Sequence, residues 1–359
     1  MTEYVQSYEE FANKPVKFLL LIKKTPVPKA IELPDNIMFN FLDEINIRDI
    51  NDFLDELKIT EGGKRKVKKE QMLKLVHRGM LKKYVAVSDL NHGVHISFVA
   101  PDKIWVSDGH SLILTNSKGN KLYHLSDVNK NYGVHTVNSA GDLIYVDNDW
   151  NINKLNAVNA TKSTLIQRTD LWEPWCIYHS SSTGDLLVMM RHDTRDPTII
   201  SKVKFIRYNS KVQPVQTIQY DSSGQQLYRE PMYITENHNG DIVVSDRREG
   251  VVVTDYKGKY RFTYTGPARG LSFGMFSPHG ICVDVLLNIL FCIPFNYFQS
   301  VYTIDKDGHL LAIISTKKYG VIQALGLGYD EKNHLVLVGS GKTNRLCVYR
   351  HIERQAYLA

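Results

Sequence analysis

Residues 230–246 read EPMYITENHNGDIVVSD, an apolar run, an Asn-Gly-Asp turn and a second apolar run. Asn-Gly between alternating apolar residues is a strong short-range hairpin signal, because glycine accepts the positive φ that tight turns need. The same phrase returns at 277–293 as SPHGICVDVLLNILFCI, the proline, the isoleucine and the second apolar run keeping their register. It recurs as VHISFVAPDKIWVSD (94–108), VHTVNSAGDLIYVDN (134–148), WCIYHSSSTGDLLVMM (175–190) and LGLGYDEKNHLVLVG (325–339). Successive copies lie roughly 40 to 60 residues apart, the period of propeller blades.

A second hairpin follows each phrase, as in SLILTNSKGNKLYHL (111–125), GVVVTDYKGKYRFTY (250–264) and SVYTIDKDGHLLAII (300–314). Four short antiparallel strands per unit, in six units with little helical periodicity after residue 90, predict an all-β, six-bladed β-propeller over 81–359. The last copy ends with RLCVYRHI (345–352), one strand short of a blade. KKYVAVSD (82–89) can supply the missing outer strand, which closes the ring and removes an exposed edge.

Residues 1–80 read as a small helical segment. Tyr4, Val5, Tyr8 and Phe11 share a helical face, 36–59 repeats apolar residues at helical spacing, and Met72, Leu73, Leu75 and Val76 flank the stretch 64–80. The basic run KRKVKK (64–69) fits either a solvated helix start or a nuclear-import patch.

Composition bounds the rest. Lys and Arg number 44 against 38 Asp and Glu, a net charge of +6, too mild for a dedicated nucleic-acid tail. Cys176, Cys282, Cys292 and Cys347 all sit in strand-like runs without a CxxC pair, as buried thiols of a reducing compartment would. No leader or membrane span is visible, so a cytoplasmic protein is expected, with possible nuclear entry.

The motif PHGICVD (278–284), an apolar strand and VYTIDKDG (301–308) resemble NHL repeats. With FANKPVKFLLLIKK (11–24) ahead of them, they resemble the C-terminal part of a tripartite-motif (TRIM)-type protein, an NHL propeller preceded by the end of a coiled coil. The resemblance implies a non-catalytic ring that recruits a protein partner to a ubiquitin-ligase-like assembly, with a homodimer through the coiled coil. It also implies an alternative, single-stranded RNA on the arginine and aromatic loops. No RING or B-box ladder of Cys and His precedes Cys176, so the chain itself is expected not to be an enzyme and to need no cofactor.

Strand order sorts the loops by end. Turns joining first to second and third to fourth strands are economical. The opposite end carries the larger residues, and there the expected ligand face gathers Arg229, Arg247, Arg248, Tyr228, Phe295, Tyr297, Trp150, Trp172, Trp175, Lys342 and Arg345. Trp172 and Trp175 also suit packing between blades. Acids crowd the same loops, Glu173, Glu230, Asp246 and Glu249 among them, which opposes a phosphate backbone. A third reading is a metal-dependent lyase or hydrolase, with His95, His135 and His279 around the central channel as zinc ligands.

Overall fold

The computed structural model describes residues 71–359 apart from 101, 131–133, 170, 193–201, 268–275, 295–299, 317–319 and 357–359. The helical expectations for 1–59 and the basic run 64–69 lie outside the described residues. The described part is all strand, in six four-stranded antiparallel sheets. Five sheets take four consecutive strands each, and their innermost strands are β2 (His95–Ala100), β6 (His135–Val137), β10 (Trp172–His179), β14 (Pro231–Glu236) and β18 (Ile281–Val283).

Blade 6 closes the ring with a strand from before the first blade. It starts with β22 (Ala324–Asp330), continues through β23 (Leu335–Ser340) and β24 (Arg345–Ala356), and takes β1 (Gln71–Ala86) as its outer strand. The pairing runs from Gln71 opposite Ala356 to Ala86 opposite Arg345, with irregularities between Leu75 and Met80 and between Leu81 and Lys83. Residues 71–80 are therefore strand, where the spacing of Met72, Leu73, Leu75 and Val76 predicts helix. Their edge-on partner β24 offers a full ladder of backbone hydrogen bonds, and tertiary pairing overrides a short apolar pattern that both periods fit.

The reason the chain repeats itself is visible in the core. Each buried apolar cluster is shared by two neighbouring blades: blade 4's Val243 and Val251 pack with blade 5's Phe291 and Tyr302, and blade 1's Ile96 and Ile113 pack with blade 6's Leu337 and Leu346. A lone blade would leave both of its faces in water. Where the ring closes, backbones nearly touch. Gly326 N–H donates to the Gly93 carbonyl at 3.2 Å, and a Cβ on Gly339 would stand 2.3 Å from that same carbonyl oxygen.

Short Asp and Asn side chains hold the turns. Asp284, fully buried, accepts the Leu286 and Asn288 amides and the Asn288 side chain, which is why the last position of PHGICVD suits aspartate. Its Oδ2 also meets His351 Nε2 at 2.8 Å, tying blade 5 to blade 6. At the opposite end, Asp246 takes four amides, Arg248 and Glu249 on Oδ1 and Arg229 and Glu230 on Oδ2. One carboxylate thus pins both the loop inside blade 4 and the segment entering it.

Candidate functional site

The inner strands all begin at the loop-bearing end, so their first side chains stand around that mouth of the channel. In blade 1, His95 pairs with Ser107, the residue before Asp108. In blade 4, Tyr233 pairs with Ser245, the residue before Asp246. Tyr233 is thus the counterpart of His95, a match countable in the repeats themselves but missed when histidines alone are sought. Its hydroxyl donates to the Val94 carbonyl at 2.7 Å, and its ring lies 5.1 Å from that of His95.

The Val-His that opens both repeats puts His95 and His135 in one register on sequence, but their ladders differ by one residue. His135 pairs with Tyr145, two residues before Asp147, whereas His95 pairs with Ser107, one residue before Asp108. A one-residue offset turns a strand side chain to the other face of the sheet. His95 and His135 therefore face each other across the junction of blades 1 and 2, with Nδ1 atoms 3.2 Å apart and ring centroids 4.4 Å apart.

The hydrogen-bond network assigns the protons. The His135 backbone N–H donates to His95 Nδ1 at 3.2 Å, so that nitrogen is an acceptor and the bridging proton belongs to His135 Nδ1. Neutral His95 then carries its own proton on Nε2. Burial, and next the neighbouring His135, hold the His95 pKa well below the ordinary histidine value. His135 is fully buried, whereas His95 keeps part of its surface open. The arrangement is a fixed N–H donor at the channel mouth, backed by a second imidazole.

His279 does not complete a triad. It is buried with Nδ1 3.1 Å from the Ser277 carbonyl, and burial, the first cause, takes its pKa down to about 4. Among the described residues no three His, Cys, Asp or Glu side chains are grouped to hold a metal ion. The donor set does not fit zinc, and the zinc-bound expectation for His95, His135 and His279 is corrected on that ground.

The residues of the expected ligand face fall in several different settings. Arg247 and Arg248 both hold Glu230, at 3.2 and 3.1 Å, and Arg229 holds Glu249. Arg247 and Arg248 share one carboxylate and Arg229 has another, so the loops offset two of these three charges and weaken the basic track that RNA would need. Tyr228 is fully buried between blades 3 and 4. Lys342 and Arg345 are exposed on the blade 6 loop, and Phe295 and Tyr297 lie outside the described residues.

The tryptophans do converge. Trp150, at φ +63°, stacks on Trp175 with centroids 5.8 Å apart and planes at 17°. The Arg191 guanidinium lies 3.6 Å over Trp175 while bonding Glu173, which Arg168 holds as well. Lys204 covers Trp172 at 3.8 Å. All three indoles are half-buried, and they cement the junction of blades 2 and 3 as much as they line the rim.

No protein-family model matches the chain, and no curated protein does. Solved structures do match. A structural-genomics protein described provisionally as a gluconolactonase superposes with TM-score 0.57 at 11% identity, covering 80% of this chain and 100% of its own. A gluconolactonase from Xanthomonas campestris gives 0.56 at 12% identity, over 76% of this chain and 95% of its own. A streptogramin B lyase gives 0.51 at 12% identity, over 79% and 98%. At such identity the likeness establishes the propeller fold. The expectation of a non-catalytic recruiting module is corrected by these superposing rings, which are enzymes by name, and none of the three is named as an NHL-repeat or TRIM-type protein.

Proposed function

We propose that this ring is a propeller enzyme of hydrolase or lyase type, acting on a small neutral substrate at the loop-side mouth of its channel. The single observation that carries the reading is the His95–His135 pair. Its neutral His95 offers an Nε2–H whose direction is set by two hydrogen bonds at the opposite nitrogen. A preorganised donor in a water-poor site polarises a carbonyl or stabilises the oxyanion formed from it. His135 fixes the tautomer and supplies the hydrogen-bonded partner that keeps the ring in place.

Tyr233 crosses the mouth from blade 4 to blade 1 at this level. Carboxylates hold Arg229, Arg247 and Arg248 at its rim, which favours uncharged substrates over anions. Opening of a cyclic ester is the chemistry that the gluconolactonase likenesses suggest for such a donor. The ring's closeness to NHL repeats remains part of this reading, resting on Pro278–Asp284 and the turn role of Asp284.

The test is turnover of a panel of neutral lactones and aryl esters by the wild type, His95→Gln and His135→Gln. A rate loss of about 10²-fold or more in His95→Gln, with folding unchanged by circular dichroism, is expected for a lost donor of this kind. Absence of turnover across the panel, or equal turnover by wild type and His95→Gln, removes the proposal.

A further inference from the structure

A separate cavity of about 440 Å³ lies at the turn-bearing end of blade 6, lined by Lys332, Asn333, His334, Arg350, Ile352 and Glu353. Arg350 is the unusual member. Arg168, Arg191, Arg207, Arg229, Arg247, Arg248 and Arg261 each hold a carboxylate. Half-buried Arg350 holds none among the described residues, and its Nε is closed to water without a hydrogen-bond acceptor. A buried donor left unmade costs free energy, and a guanidinium carries that cost together with a full charge.

The other polar groups of the wall are spoken for or point the same way. Asn333 bonds Asp330 through its side chain, and His334 Nδ1 meets the Tyr329 hydroxyl at 2.9 Å. Lys332 adds a second cation with no carboxylate partner among the described residues, and Glu353 is the cavity's one acid. We propose that this cavity binds a small oxyanion, a carboxylate or a phosphate, held by Arg350 and Lys332. The planar guanidinium matches two oxygens of such a group once it turns toward them. Glu353 limits the ligand to a low net charge.

The experiment is calorimetric titration of inorganic phosphate and, separately, acetate into the full chain at constant ionic strength with chloride. Wild type, Arg350→Met, Lys332→Met and Arg247→Met are compared. Saturable binding of either anion, about tenfold weaker in Arg350→Met and in Lys332→Met but unchanged in Arg247→Met, supports the site. The anion that binds more tightly identifies the ligand class. No saturable binding overturns the proposal, as does binding that Arg247→Met weakens equally or that both cavity variants retain. Exposed Lys332→Met keeps the test valid should Arg350→Met fail to fold.

Discussion

The Tyr233 hydroxyl and the Val94 carbonyl meet at 2.7 Å, Tyr233 in the inner strand of blade 4 and Val94 just before the inner strand of blade 1. Both residues are buried. In a six-membered ring those blades stand opposite each other, so one side chain ties the two halves of the propeller across its axis. Tyr233→Phe removes the donor and leaves a buried carbonyl unmatched, for an expected loss of about 1–3 kcal/mol in stability. Urea denaturation reads it directly, and an unchanged midpoint would show that the crossing contributes nothing.

Stability should fall on mild acidification. His279 titrates near 4 in the fold against about 6.5 unfolded, and the His95 pKa is also well lowered. Between those values the unfolded chain binds more protons, so stability is complete above pH 6.5 and is lost as pH drops toward 4. Each such histidine contributes a slope of up to about 1.4 kcal/mol per pH unit. Denaturation midpoints at pH 7, 6 and 5 should show this slope, and His279→Gln should flatten it. Parallel profiles for wild type and variant would rule His279 out as its source.

Asp284 and His351 form a contact at 2.8 Å with both side chains essentially sealed from water. Asp284→Ala strips the acceptor from His351 and from two turn amides together. The expected cost is about 3–5 kcal/mol, the range for breaking one side of a buried pair. A shift in the urea midpoint amounting to less than 1 kcal/mol would mean that the surrounding turn holds blade 5 to blade 6 without it.

Val212 sits at φ +61° in a turn that Asn209 already caps through the Lys211 and Gln213 amides. A β-branched residue is strained there, at a cost of order 1–3 kcal/mol that glycine does not incur. Val212→Gly should therefore stabilise the protein, by about 1 kcal/mol after the entropy of the unfolded glycine is counted. A lower melting temperature in the variant would show that the side chain's packing outweighs its strain.

All four cysteines are free thiols, and burial pushes each of them up in pKa, Cys347 to about 11. The thiolate is the reactive form. Ellman's reagent at pH 8 should label the native protein slowly and release four equivalents in denaturant. Rapid native labelling of Cys282, the half-buried one, would show that the channel admits the reagent to its inner strand.

The sequence by itself determined the ring. Six hairpin phrases in register demand six sheets, because none can cover its own faces, and a last copy one strand short demands closure by the strand before the first blade. It also determined which end carries large side chains. Contacts between loops distant in the chain were decided only in three dimensions. Nothing near Arg247 announces that Glu230 will hold it, nor does Arg229 announce Glu249, yet those pairings offset much of the rim's basic charge. The residues at 71–80 suit either period, and only the ladder along β24 makes them a strand. The site shows the same division. Both histidines are plain in the repeats, but whether they face each other depends on a one-residue offset between blades, since a strand side chain changes face at every step.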